Sequence, residues 1–510
     1  MSAVSSMSIA GDSTMSQNPK PAKAKKVKTT VAKHSTDTLA RKTYLALLRD
    51  FRSVYGLDFL KDAEVSLLSS CAKFRDFIVP SYSNVTPCLY KAHAQMESLL
   101  KKYRFANDVY TDVELKDRTL QSYFDAQLTI AVTPYQSEMA FRVLREARKI
   151  ASSVLGEYSE EDMIEFVKFG TKSNIGCAYS DAYIDYKLSN VKAFTSSKSV
   201  TKWFRDHVDN DKILGRILDR LLPQNSGQAE NPHLEIESLA LKNVPKTWKI
   251  LRTITPLTLL GLYYSHGIGG LVTEKLKLAG LDISRLQNVH RKLVKKFSIT
   301  RTHATADLSR ASDSLTSELL ARVLPRPWYV ALKKCLTHQI SFTNSEGEEK
   351  MAYTASVLPM GNGATFPIET LVFYCIIRAI GNLADVTEGV FSVYGDDLIY
   401  PSKLHPYVRL LFPQFGITLN LEKTHVYDNF RESCGADYYH GVDVRPFFFP
   451  GESRELTRSR YIAEIYKIYN GLLRRFSHQE IAGTLYMLLV EAANTGLPLM
   501  RVPPSFPDTA

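Results

Sequence analysis

The segment Val390-Phe391-Ser392-Val393-Tyr394-Gly395-Asp396-Asp397-Leu398-Ile399-Tyr400 places two adjacent carboxylates between two apolar runs. β-Branched and aromatic residues on both sides of a Gly-Asp pair predict a hairpin whose tight turn carries the acids. A Gly-Asp turn alone is common on surfaces, but apolar flanks put this hairpin in the interior, so the acids stand at the end of a buried element. Two like charges about 4 Å apart repel by roughly 1 to 4 kcal/mol, depending on the dielectric. A cation relieves that cost. A chain with such a turn must build a sheet around a charged edge, which constrains fold and chemistry together.

A second acidic element lies upstream: Ala304-Thr305-Ala306-Asp307-Leu308-Ser309-Arg310-Ala311-Ser312-Asp313-Ser314. It predicts a short strand ending at Asp307 and a helix opened by Ser312 or Asp313, with Asp313 as a plain N-cap the structural alternative. Carboxylates from neighbouring strands can hold two divalent ions about 3.5–4 Å apart, the arrangement of nucleotidyl transfer. Between the acidic elements lies Leu358-Pro359-Met360-Gly361-Asn362-Gly363-Ala364-Thr365-Phe366. Gly361 and Gly363 permit unusual dihedrals and close backbone approach, and plain turn chemistry would use them equally. Phe366 to Asn382 carries Ile368, Val372, Ile376 and Ile380 at i, i+4 spacing and predicts a buried helix. Residues 339–355 predict a hairpin, QISFT and KMAYTA around NSEGEE.

The charge balance fits a polyanionic partner. The 510 residues hold 64 Lys+Arg against 53 Asp+Glu, a net +11. Six lysines from Lys20 to Lys33, against Asp12 alone, supply five of these charges. Residues 1–36 offer hardly any large apolar side chain and predict a disordered basic arm, either a solvated tail or a contact for RNA. An apolar content of 45% excludes disorder of the body. The six cysteines form no C-x-x-C pair, which argues against zinc fingers and fits a reducing compartment. The longest uncharged stretch, Thr253 to Thr273, is interrupted by Pro256, His266 and four glycines, too broken for a membrane span.

Elsewhere, Leu47, Leu48, Phe51 and Val54 recur at helical spacing. Thr133-Pro134-Tyr135-Gln136 reads as a capping box. It opens a helix with Met139, Val143, Leu144, Ala147, Ile150 and Val154 as its apolar stripe and Gly156 as its stop. Leu222 to Pro232 is a turn-rich break.

Taken in order, DLSRASDS, PMGNGATFPIE and SVYGDD resemble motifs A, B and C of viral RNA-dependent RNA polymerases. The MGNG-x-TF-x-x-E form is similar to the replicase catalytic subunits of positive-strand RNA bacteriophages, the levivirus group. Phe430 to Ala436 and Gly441 to Phe447 resemble the family's segment after the palm, and Val244-Pro245-Lys246 its basic fingers motif.

The resemblance implies an α+β right-hand polymerase with fingers, a palm of antiparallel sheet backed by helices, and a small thumb. It apportions the chain as a basic arm at 1–36, fingers and N-terminal region at 37–300, palm at 301–450 and thumb at 451–510. It implies a viral RNA-directed RNA polymerase using two Mg²⁺ ions, or Mn²⁺ in their place. Asp307, Asp396 and Asp397 match its metal-binding carboxylates, Asp397 the less direct. Lys423 matches the lysine that protonates leaving pyrophosphate. Lys246, Lys249 and Arg252 match the triphosphate-binding basic motif. Asp313 and Asn362 match positions near the incoming ribose, and Gly361 and Gly363 a mobile loop. The implied partners are template RNA, NTPs, host translation elongation factors and a ribosomal protein, in a bacterial cytoplasm and without a membrane. Two other readings stay open. A reverse transcriptase shares the palm chemistry, but it usually carries a bulky aromatic soon after the first aspartate, and Leu308 to Ser314 has none. A non-catalytic RNA-binding protein with a relic palm predicts a broken acidic set.

Overall fold

The computed structural model describes residues 33–56, 85–131, 137–170 and 239–500, with shorter stretches between 174 and 216. The arm up to residue 32, the capping box at 133–136 and the break at 222–232 lie outside the described residues.

The central sheet is antiparallel, with strands in the order Thr418–Leu419, His303–Ser309, Asp397–Pro401, Ser392–Tyr394. The last two form the expected hairpin around Gly395-Asp396. The first acidic strand runs two residues past Asp307, to Ser309. Asp313 is no helix N-cap: it sits within the 3₁₀ turn Ala311–Ser314, and Thr316 caps the helix Ser317–Val323.

Helix Thr365–Leu383 backs this sheet. It packs on Ser392–Tyr394 and on helix Glu138–Leu155. Ile368, Leu371, Val372, Ile376 and Ile380 are at most 1% exposed, and each such side chain contributes roughly 1.5–3 kcal/mol on burial. Among the described residues this is the one helix long and apolar enough to cross a membrane by composition, but most of it is buried within the protein, as a core helix would be. Helix Glu138–Leu155 starts at the Ser137 cap, whose side chain accepts the Ala140 N–H. Its buried face centres on Ala140, Val143, Leu144, Ala147, Ala151 and Leu155, leaving Met139 exposed and Ile150 and Val154 at the margin.

Helix Ile283–Thr300 joins the central sheet to a second one, Phe430–Ser433, Ala436–Tyr439 and Val442–Asp443. The fully buried His290 bridges them, with Nδ1 2.8 Å from Ser433 Oγ and Nε2 2.9 Å from Ser392 Oγ. Arg431, also fully buried, ties the start of the first acidic strand to the loop before the second sheet. Its guanidinium donates to the His303 carbonyl at 2.7 Å, to those of Val426 and Asp428 at 2.6 and 2.8 Å, and to the Asp428 carboxylate at 3.0 Å. The expected hairpin at 339–355 forms from Gln339–Thr343 and Glu349–Tyr353.

A second core departs from the expected division of the chain. Helices Thr36–Tyr55 and Pro87–Ser98 pack with Arg458–Leu473 and Ala482–Ala493, burying Leu39, Leu47, Leu48, Phe51 and Met96 against Ile465, Leu472, Leu485 and Leu488. Val54 points outward, 47% exposed. The described residues from Leu39 to Phe51 and from Ala92 to Phe105 therefore share one core with the C-terminal helices. The last residues assigned to the arm are structured as well. His34 and Ser35 pair antiparallel with Leu456 and Glu455, and Thr36 opens a helix.

Replacing Arg431 by methionine strips the buried carbonyls of His303 and Val426 of their donor. Arg431→Met should lower unfolding stability by about 2 kcal/mol or more, the cost of leaving buried carbonyls unpaired, read by chemical denaturation; a loss within error of zero would contradict the bridging role.

Candidate active site

The ladder register sets Asp307 directly opposite Asp397, so their side chains share one face of the sheet, with Cβ atoms about 5 Å apart. Asp396 occupies the turn beside them, and its carbonyl accepts the Leu308 N–H at 3.2 Å. Three acids separated by almost ninety residues are thus brought to one sheet edge. The turn depends on Gly395, which has φ +60°, and a Cβ there would lie 2.5 Å from the Phe366 ring. The Gly395 N–H donates to Thr370 Oγ1 at 3.0 Å. The backing helix therefore fixes where the acids stand.

The three are not equivalent. Asp307 Oδ2 accepts from Asn420 Nδ2 at 3.1 Å and lies 3.3 Å from Lys423 Nζ. Asp397 Oδ2 is turned the other way, toward the Cys434 N–H at 3.1 Å. Cys434 and Gly435, both at positive φ, make the two-residue turn of the second sheet's hairpin, which points that N–H at the acid. Burial and the Asp396 charge push Asp397 up to about 7, against the pull of the Cys434 bond. Burial and then Asp307 raise Asp396, while its own N–H, Lys423 and Arg252 act against the rise. Burial raises Asp313 to about 6, with Arg310 and Lys246 opposing.

Cations face this edge. The hairpin Lys242–Pro245 and Leu251–Ile254 is seated on helix Asp112–Ala131, where Thr119 Oγ1 accepts the Leu251 N–H at 3.0 Å. Partial desolvation, then Arg252, Lys423 and Arg310, push Lys246 below the usual lysine range, with Asp307 pulling the other way. Burial acts against the Lys423 charge, but Asp307, Glu432 and Asp396 hold its pKa above the usual value. Lys249 sits at the hairpin's tip, its ammonium 4.9 Å from the centroid of the Trp248 ring. The Arg310 guanidinium donates to Ser122 Oγ.

The glycine loop is packed against its neighbours. The Thr255 N–H donates to the Met360 carbonyl at 2.8 Å, and the Gly363 N–H to Ser265 Oγ at 3.1 Å. A Cβ on Gly361, at φ +120°, would meet the Thr255 carbonyl at 2.5 Å, and one on Gly363 the His266 ring at the same distance. Asn362 is buried with both ends of its amide engaged. Its Nδ2 donates to the Cys335 carbonyl at 3.0 Å and its Oδ1 accepts the Ala364 N–H at 2.9 Å.

The sequence reading assigns no role to Glu369, the last residue of PMGNGATFPIE, or to Asn420. Glu369 lies in helix Thr365–Leu383, 7% exposed, and burial followed by the charges of Asp396 and Asp313 pushes it up to about 8. The signal was there: it is one acid on an otherwise apolar helix, and a buried charge marks a functional position more often than a structural one. Asn420 gave no comparable signal, since its role comes from strand Thr418–Leu419 pairing beside Asp307.

A carboxyl with a raised native pKa binds its proton more tightly folded than unfolded, so its stabilisation is complete at low pH and lost as pH rises. For Glu369 the window runs from about 4.5 to about 8. Without divalent ions, wild-type stability should fall relative to Glu369→Gln by at most about 1.4 kcal/mol per pH unit across that window. Parallel pH–stability curves from chemical denaturation would contradict the burial of this acid.

The chain is similar to several known proteins. Over 205 residues the chain is 36% identical to the RNA-directed RNA polymerase beta chain of Enterobacteria phage fr, covering 40% of this chain and 36% of that one. Over 205 residues it is 35% identical to the RNA-directed RNA polymerase subunit beta of Escherichia virus Qbeta, covering 40% and 34%. Over 209 residues it is 36% identical to the beta chain of Escherichia phage MS2, covering 40% and 36%. The match spans about a third of the length of these relatives. The insertion loop deletion mutant of the RNA-dependent RNA polymerase of a human picorbirnavirus superposes with a TM-score of 0.45 at 14% identity, covering 91% of each chain. The family model for the RNA replicase beta-chain matches residues 130–474, which include every acid and cation of the edge from Lys246 to Lys423. With more than half of its length matched, this chain belongs to the RNA replicase beta-chain family.

Proposed function

We propose that this chain is the catalytic subunit of an RNA-directed RNA polymerase that copies a positive-strand viral genome from NTPs in a bacterial cytoplasm. The observation that carries the reading is the register that sets Asp307 against the Asp396-Asp397 turn, opposite Lys246, Arg252 and Lys423. In right-hand terms the central sheet and its helices are the palm. The basic hairpin and the helices around it are fingers, and the helical core shared by the two ends of the chain serves as thumb.

Divalent metal fits the donor set. Partial desolvation and then the charge of Asp307 raise the pKa of Asp396, a cost that a cation at this edge would relieve. Among the described residues no three His, Cys, Asp or Glu side chains form a ready cage. That suits Mg²⁺, or Mn²⁺ in its place, because Mg²⁺ is commonly held by one or two carboxylates together with substrate phosphates. Asp307 and Asp396 would hold two ions, with Asp397 supporting from behind through its bond to Cys434. Bound metal supplies charge neutralisation and a lowered pKa for the attacking 3′-hydroxyl.

The protein's own groups do the rest by position and charge. Lys246 and Arg252, with Lys249 at the hairpin tip, draw in and orient the triphosphate. Lys423, held beside Asp307, gives a proton to the leaving pyrophosphate. Gly361 and Gly363 shape the loop beside template and nucleotide, and Asp313 lies toward the ribose. Template RNA and NTPs are the substrates. Host translation elongation factors and a ribosomal protein are the partners that the family resemblance suggests, and no membrane is part of the reading. The intact acidic set disfavours a relic palm, and the lack of an aromatic from Leu308 to Ser314 disfavours a reverse transcriptase.

The test is RNA synthesis on a defined template, by the purified chain alone and with host extract. Asp396→Asn and Asp307→Asn should each lower synthesis by about a thousandfold or more, the several kcal/mol that metal-assisted charge stabilisation supplies, while RNA binding stays within about twofold. Near-normal synthesis by either variant would overturn the assignment.

A further inference from the structure

From Ile283 to Ala306 the chain carries six cations, Arg285, Arg291, Lys292, Lys295, Lys296 and Arg301, and no acid. Five of them stand on helix Ile283–Thr300, and all six are exposed. His290, Val294 and Phe297 occupy the buried side of that helix, against the two sheets. Helical spacing lines the cations up. Arg285, Lys292 and Lys296 run down the middle of the exposed face, with Arg291 and Lys295 along one flank. At 1.5 Å per residue the row is about 16 Å long.

Nothing local explains this row. Among the described residues its one ion pair is Arg285 with Asp282, at 3.5 Å. Arg291 and Lys295 stand four residues apart, as do Lys292 and Lys296, and like charges at that spacing destabilise a helix. The helix dipole would favour cations in the last turn, but that turn holds none. The other strongly basic helix, Glu138–Leu155, is built differently, since Glu138 pairs with Arg145 and Glu146 with Lys149, each at 3.1 Å. An uncompensated row of cations calls for an external anion.

Chemistry and place select that anion. Phe297, the helix's one phenyl ring, is buried, so the face offers no platform for stacking bases and presents charge alone. Val289 and Ile299 are exposed singly, ten residues apart, and make no continuous apolar seam for a protein helix. Arg301 ends the helix, and two residues later the chain enters strand His303–Ser309. The Lys295–Arg301 end of the row therefore stands near the start of that strand, whose His303 is about 13 Å from Asp307 along the backbone, outside the triphosphate site. We propose that this face is a track for the phosphate backbone of single-stranded RNA beyond the active site, gripped by charge and without regard to sequence. The inference takes its polyanion from the polymerase reading, which makes long RNA a substrate.

The experiment measures binding of the full chain to a long, unstructured single-stranded RNA by fluorescence anisotropy over a salt series. Lys292→Gln/Lys295→Gln/Lys296→Gln should flatten the plot of log affinity against log salt by about 2, since each lost phosphate contact removes about 0.7. Thermal melting should stay at the wild-type value, because all three side chains are exposed. Should the triple variant melt early, Lys292→Gln alone is expected to flatten the slope by about 0.7. Arg145→Gln/Lys149→Gln, which removes two charges from the ion-paired helix, should leave the slope close to wild type. A wild-type slope in the triple variant, or equal flattening per charge in the ion-paired control, overturns the inference. So does wild-type RNA binding by a triple variant that no longer binds polyglutamate, which would make the face a protein-docking surface. The binding readout needs no catalysis. A wild-type chain that copies no RNA, alone or with host extract, loses the polymerase reading, and a flattened slope in the triple variant would still support the track.

Discussion

The structure turns on one antiparallel register, the pairing of His303–Ser309 with Asp397–Pro401 that sets Asp307 opposite Asp397. A slip of one residue would send every side chain of the strand to the other face. Ala304, Ala306 and Leu308 would leave the core and Asp307 would leave the edge. Apolar burial therefore holds carboxylates together that would otherwise separate. The same residues that pay for the sheet also create its electrostatic strain. Helix Thr365–Leu383 and Arg431 secure the arrangement from two sides, one through Gly395 and the other through the His303 carbonyl.

Around that register the site is layered by charge. Asp307 is matched at once by Lys423 and Asn420. Asp397 is matched from behind by a backbone N–H that the second sheet aims through its Cys434-Gly435 turn. Asp396 has weaker compensation and keeps a raised pKa. Asp313 and Glu369 lie deeper and are compensated least. The gradient arises from burial and neighbours, since the side chains are chemically alike.

Much of this was legible in the sequence because it is written locally. The Gly-Asp-Asp hairpin, the buried helix after the glycine loop and the hairpin at 339–355 follow from periodicity and turn chemistry within a dozen residues. The meeting of Asp307 with Asp396 was inferred from chemistry, since repelling acids at strand ends need a shared cation. What escaped was set by long-range packing. Nothing near Thr36–Tyr55 announces that it packs against Ala482–Ala493. The packing of the glycine loop on Thr255 and Ser265, and the bonds of the Asn362 amide to Cys335 and Ala364, come from partners that lie elsewhere in the chain or in the loop's own backbone. The buried face of Glu138–Leu155 runs through Ala140, Ala147 and Ala151 rather than Met139, Ile150 and Val154, a rotation that only the partner helices set.

The central claim is that Asp307 and Asp396 act as one cation site. A double-mutant cycle on Mn²⁺ affinity tests it most directly, using electron paramagnetic resonance on wild type, Asp307→Asn, Asp396→Asn and the double variant, each with a bound nucleoside triphosphate. The account predicts strong non-additivity, with the double variant losing little more affinity than either single one. Independent, additive losses would contradict it.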